Sequence, residues 1–195
     1  MSSFRCEPID EPLGVFAIEQ VSTMPTSIVL DQSFVVGALE SSAPGHDAAA
    51  GFLERMVHSG TTMFFNDLLE LQLQDAAFDL AQREVHAAGM RSKDQVSILA
   101  RALLGRWQKL IESSEAVYVE LPPLLEDSMY YQERFGLPAA DSLHAAMVMA
   151  SDADGIATID QAFGAVDPSL LPVFTPAQFV RGTRARRRSY GRSVT

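Results

Sequence analysis

The chain has one cysteine, Cys6, so no disulfide can form within it, and thiol-based metal cages are excluded. Lysine is nearly absent. Lys93 and Lys109 are the only two, and neither follows a glycine-rich loop, so a phosphate-cradling loop of the nucleotide-binding kind is missing. The same scarcity argues against a phospho-acceptor receiver domain, which would pair an early Asp with a Lys after a late strand. No Gly-x-Ser-x-Gly elbow occurs. His46, His58, His86 and His144 are too scattered for a zinc motif. No apolar run approaches the ~20 residues of a membrane span. The N-terminal stretch, polar and acidic, is unlike a secretory leader. These absences together lead us to expect a cytoplasmic protein without a membrane partner.

Acidic residues are missing from one place only. None occurs after Asp167, whereas six arginines fall at Arg181, Arg184, Arg186, Arg187, Arg188 and Arg192. The whole chain has a formal charge of -10, so the part before Arg181 is more acidic still. An acidic body repels a polyanion except at bound cations or local basic patches. The arginine run reads either as a solubilising end or as a phosphate-contacting segment, with Arg184, Arg186, Arg187 and Arg188 as the candidates. A third reading folds an arginine back onto the acidic body.

The 195 residues, 47% of them hydrophobic, suffice for one domain with extensions. We expect an extension over residues 1–26, a domain over 27–180 and a basic tail without stable fold over 181–195. Apolar runs at 28–30, 61–65, 117–121 and 156–159 read as strands, with a short fifth at 172–174. Helical periodicity fills the intervals, with Ala49, Phe52, Leu53 and Met56 sharing one face of the helix over 47–58. Gly60 and Gly136 mark helix ends, and Asn66 or Asp67, then Ser92, mark starts. Strands alternating with helices imply an α/β fold: a three-layer α/β/α sandwich around a central parallel sheet of four to five strands. The strands are nearly all apolar, as expected when helices cover both sheet faces.

Four carboxylates fall at strand ends or helix starts: Asp31 after Ile28-Val29-Leu30, Glu70 early in the helix after the second strand, Asp141 in Ala140-Asp141-Ser142-Leu143-His144, and Asp160 after Ala157-Thr158-Ile159. In an open parallel sheet these positions gather at one edge, where ligands bind. Each acid also has a plain reading. Asp31 starts a loop, Asp67-x-x-Glu70 resembles a capping box, Asp141 favours a helix N-terminus by ~0.3–1 kcal/mol, and Asp160 caps the next helical segment. Singly these readings prevail; as a set they require four coincidences. Converging carboxylates raise one another's pKa, which predicts a hard cation such as Mg2+ or Mn2+, held by oxygen ligands and water. His144 lies three residues after Asp141 and shares a helix face with it, as a neighbour rather than a ligand. Phe34, Phe52 and Met56 read as core, or as a groove for a partner helix. Tyr130, Tyr131 and Phe135 read as core, or as rings that stack on bases. Trp107 and Leu103-Leu104 are expected to seat the long helices on each other or on a second subunit.

The segments Ile28-Val29-Leu30-Asp31-Gln32-Ser33, Ala140-Asp141-Ser142-Leu143-His144-Ala145-Ala146 and Ala157-Thr158-Ile159-Asp160-Gln161-Ala162-Phe163, with Glu70 and Thr175-Pro176-Ala177-Gln178-Phe179, resemble a PIN-domain ribonuclease of the VapC toxin type. The likeness spans about residues 27–180. It implies Asp31 and Asp141 as the main ligands of Mg2+ or Mn2+, with Glu70 and Asp160 acting directly or through water. Ser33 and Thr158 would hydrogen-bond within the cluster. It further implies hydrolysis of RNA phosphodiester bonds by these four acids, a cognate antitoxin and a homodimer. Gln32, Ile159 and Gln161 depart from residues common at those positions, and the interval from Glu70 to Asp141 is long for the family. Two other readings compete: a catalytically weak PIN-like module that binds RNA or protein, and a small-molecule Mg2+ phosphohydrolase.

Overall fold

The computed structural model describes residues 14–167 and 169–190, with side chains from 184 onward outside the description. Six strands form one sheet: β1 (Val15–Ala17), β2 (Ser27–Leu30), β3 (Thr62–Phe65), β4 (Ala116–Tyr118), β5 (Ile156–Ala157) and β6 (Val173–Thr175), in the order β1-β6-β5-β2-β3-β4. All pairings are parallel, with Val29 opposite Phe64 on one side and Ile156 on the other. Seven helices join them: α1 (Gln32–Leu39), α2 (His46–Ser59), α3 (Asp67–Ala87), α4 (Lys93–Glu112), α5 (Leu124–Phe135), α6 (Ala139–Ala150) and α7 (Ala177–Tyr190). Short 3-10 turns cover Ile18–Gln20 and Gln161–Ala165.

The sheet separates two apolar layers by simple alternation, because successive side chains on a strand face opposite ways. Ile28 and Leu30 of β2, Met63 and Phe65 of β3, Ala157 of β5 and Phe174 of β6 join Phe34, Phe52, Met56 and Trp107. Val29, Ile156 and Val173 face the other way, onto Tyr131, Leu137, Met147 and Phe163. Helices α1 to α4 thus cover one face, and α5 to α7 the other. Phe34, Phe52 and Met56 are wholly buried, so they are core and offer no groove. Helices α3 and α4 pair along their length and carry a small core of their own, Ala77, Ala81, Ala100 and Leu103. At their joined end an open cavity of about 640 Å³ is lined by Phe78, Val85, Met90 and Lys93.

The local signals act as expected. Asn66, wholly buried, accepts from the Leu69 amide at 3.0 Å and caps α3. Ser92 caps α4. Gly60 ends α2 at φ +69°, a left-handed conformation that costs glycine nothing.

Two boundaries differ from expectation. The sheet has six strands rather than four or five, because Val15–Ala17, expected to lie in an extension, pairs with β6 as an edge strand. Residues 1–13 lie outside the described residues. The tail expected to lack structure from 181 is helical to Tyr190, its arginines and alanine being good helix formers. Glu19 caps α7 by accepting from the Ala177 amide at 3.0 Å. Farther along, the backbone of α7 closes on the Gln161–Ala165 turn. A Cβ on Gly164 would lie 2.1 Å from the Thr183 carbonyl oxygen, and one on Gly182 would strike the Gln161 carboxamide.

Gly164→Ala therefore forces α7 off its seat. We expect a loss of roughly 1–3 kcal/mol, typical of overpacking, read by urea denaturation. An unchanged midpoint would show that this close approach is not needed.

Candidate active site at the carboxyl edge of the sheet

From β2 the chain moves outward to β3 and β4, and it returns on the other side of β2 to form β5. The connection reverses direction between β2 and β5. In parallel sheets that switch point opens a crevice at the carboxyl ends of the strands. Asp31 follows β2 and Asp160 follows the end of β5, so two of the four acids flank it.

Asp31 is 5% exposed. Its Oδ2 accepts from the Ser33 amide at 3.1 Å, from the Thr158 hydroxyl at 2.8 Å and from the Ser33 hydroxyl. Its Oδ1 faces Nδ1 of His144, wholly buried, at 3.4 Å. Burial by itself would push the Asp31 carboxyl up. The contact with His144 and the two hydroxyls outweigh it and hold the carboxyl below its usual value of 3.8. This reverses the expectation that crowding of like charges would raise it. The fold itself stabilises the ionised form at this position.

Asp160 is exposed and joined to Asp31 indirectly. Its amide donates to the Thr158 hydroxyl at 2.9 Å and to the Ser33 hydroxyl at 3.2 Å, and its Oδ1 caps the next turn at Ala162. Ser33 also accepts from the Ile159 amide at 2.9 Å. One hydroxyl thereby ties α1 to the segment after β5. Asp141 lies in the first turn of α6, half-buried, one turn before His144. Because His144 meets Asp31, α6 brings the Asp141 turn to the same edge.

Glu70, in the first turn of α3, is half-buried and accepts from the Trp107 indole at 3.4 Å. The capping role falls to Asn66, whose carboxamide also reaches the Met147 sulfur at 3.5 Å and so ties the start of α3 to α6. Trp107 packs edge-on against Phe65, which fixes the indole that holds Glu70. It seats α4 on the sheet, as well as α4 on α3.

Sequence reasoning placed His144 beside Asp141 and missed its contact with Asp31. Helical spacing gives the shared face but not the groups across from it. Trp107 as partner of Glu70 was missed for the same reason. Of the aromatic candidates, Tyr131 is buried and its hydroxyl is pushed up to about 12, chiefly by burial. It belongs to the core. Tyr130 stays half-exposed on α5. Arg181 is exposed, and the side chains of Arg184, Arg186, Arg187, Arg188 and Arg192 lie outside the described residues.

Among the described residues, no three His, Cys, Asp or Glu side chains form a group that would cage a metal ion. Mg2+ needs no such cage, since it commonly takes one or two carboxylates and keeps several waters. The donor chemistry at this edge, carboxylate and hydroxyl oxygen, is that of a hard cation.

No family model matches the chain, and no curated protein matches its sequence. In three dimensions it is similar to the crystal structure of FitAcB from Neisseria gonorrhoeae, with 15% identity and a TM-score of 0.50 over 75% of this chain and 96% of that one. At this identity the likeness concerns the fold: an α/β architecture with a parallel six-stranded sheet flanked by helices. No helix among the described residues is long and apolar enough to cross a membrane.

The lowered Asp31 pKa fixes the sign of a pH effect. A carboxyl depressed in the folded state adds stability that is fully present above its unfolded value of 3.8 and is lost as pH falls through the folded value. The stability gap between wild type and Asp31→Asn, measured in urea, should shrink when the pH is lowered from about 6 to about 3. A gap that widens would reverse the assignment.

Proposed function

We propose that the protein is a Mg2+- or Mn2+-dependent endoribonuclease acting at the carboxyl edge of its sheet. The observation that carries this reading is the ionised, buried Asp31 at the β2/β5 switch point, joined to Asp160 through Ser33 and Thr158 and faced by the helix that bears Asp141. Asp31 and Asp141 would hold the cation, with Glu70 and Asp160 contributing directly or through water. A cation held there supplies a nucleophile at neutral pH and neutralises charge on the phosphate. It also reconciles an acidic pocket with a polyanionic substrate.

The protein's own groups have separate tasks. Ser33 and Thr158 hold Asp31 ionised and fixed. Trp107 aims Glu70. Asp160 is oriented by the same hydroxyls through its backbone amide. Helix α7, which bears the arginine run, packs at Gly182 and Thr183 on the Gln161–Ala165 turn that Asp160 caps, and its arginines would be the phosphate contacts of this reading.

The motif resemblance around Asp31, Asp141 and Asp160, together with the fold likeness to FitAcB, supports the narrower reading: the toxin of a type II pair, acting in the cytoplasm as a homodimer and restrained by a cognate antitoxin. The competing reading is a PIN-like module that binds RNA or protein with little catalysis.

Asp31→Asn and Asp141→Asn should each lower Mn2+-dependent RNA cleavage by at least about 100-fold while the protein stays folded, since each removes an acid on which the proposed chemistry depends. Wild-type rates in either variant would sink the assignment, and folded protein that binds RNA without cleaving it would favour the binding module. Replacing Arg186, Arg187 and Arg188 by Gln should reduce the salt dependence of RNA binding, by roughly 0.7 in log–log slope for every phosphate no longer neutralised. An unchanged slope would remove the arginine helix from the substrate path.

A further inference from the structure

We propose that His144 is a positioning residue for Asp31: its imidazole holds the carboxylate so that Oδ1 is presented to a bound cation. The proposal rests on the nuclease reading above.

Three donors converge on Asp31 Oδ2, namely the Ser33 amide, the Ser33 hydroxyl and the Thr158 hydroxyl. Oδ1 is left with His144 Nδ1. At 3.4 Å that contact is longer than the 2.7–3.2 Å of a full hydrogen bond. It guides the oxygen without using up its capacity as an acceptor. Pinned at Oδ2 and confronted at Oδ1, the carboxylate cannot turn about its terminal bond without losing donors.

His144 is an expensive choice at this place. It is wholly buried, the four residues after it on α6 are buried and apolar, and neither ring nitrogen makes a hydrogen bond of normal geometry. A buried polar group left in that state costs about 1–3 kcal/mol. A leucine would fill similar space on an otherwise apolar stretch of α6 without burying two nitrogens that lack hydrogen bonds. Polar groups kept against stability mark positions where some other requirement applies. Here the requirement in contact is Asp31. The placement on α6 adds to this, because the helix that carries Asp141 also carries the group that orients Asp31. The two acids are thus set relative to each other by one rigid element.

The test uses the full chain with His144→Leu, His144→Asn and His144→Gln. Mn2+ binding is followed by the electron-paramagnetic signal of the free ion, thermal stability is measured in EDTA, and RNA cleavage is resolved into kcat and KM. The leucine variant should bind Mn2+ about 10–100-fold more weakly, the usual loss when the partner of a metal ligand is removed. Its kcat should fall while KM for RNA stays within about threefold. Asparagine, which places a nitrogen near the Nδ1 position, should recover most of the Mn2+ affinity, and glutamine should not. Wild-type Mn2+ affinity in the leucine variant, or equal losses in asparagine and glutamine, would overturn the proposal. If the leucine variant does not fold, the asparagine–glutamine comparison decides alone. Wild-type protein that neither binds Mn2+ nor cleaves RNA would overturn the nuclease reading instead. The His144–Asp31 contact is then judged by a stability cycle in EDTA. Additive effects of Asp31→Asn and His144→Leu would discard it, and non-additive effects would retain it as a contact that sets Asp31.

Discussion

One buried charge organises this molecule. Asp31 keeps its carboxylate ionised at 5% exposure because three pieces of chain converge on it: Ser33 at the start of α1, Thr158 after β5, and His144 on α6. Removing a carboxylate from water is costly unless hydrogen bonds replace the lost hydration. Those three pieces must therefore be in place together for the edge to be stable. Placing β5 beside β2 satisfies Thr158, and laying α6 across β2 satisfies the His144 contact. The position of the sheet's switch point and the ionisation of its central acid are two aspects of one arrangement.

Much of the fold was legible because its signals are local. The apolar run Ile28-Val29-Leu30, the caps Asn66 and Ser92 and the stop at Gly60 each act through neighbours a few residues away. The features that escaped are long-range. Val15–Ala17 is too short to show a period and becomes a strand only because β6 offers an edge. Glu19 caps a helix that starts 158 residues later. The helix expected to dissolve into a basic tail continues because two glycines let it settle on the turn after Asp160.

At the site, residue type pointed to the four acids but not to how each is held. Asp31 was expected to suffer from its like-charged neighbours. Its immediate surroundings, a histidine and two hydroxyls, reverse that sign. Sequence spacing cannot show this, since Thr158 is remote in the chain and the partner of His144 lies at the end of β2 rather than along the helix. Glu70 is similar. Its position suggested a cap, yet an indole from the neighbouring helix holds it.

The separation of 127 residues from Asp31 to Thr158 also sets an order of events during synthesis. At typical translation speeds they take about 6–25 s to be made. Over that interval Asp31 exists without the hydroxyl and the strand that hold it, and β1 waits longer still for β6. Until His144 and Thr158 have been made, the acidic edge cannot close. The acidic edge closes late, with the pairing of β6 and β1 after it, so a chain released early would lack the groups that hold Asp31.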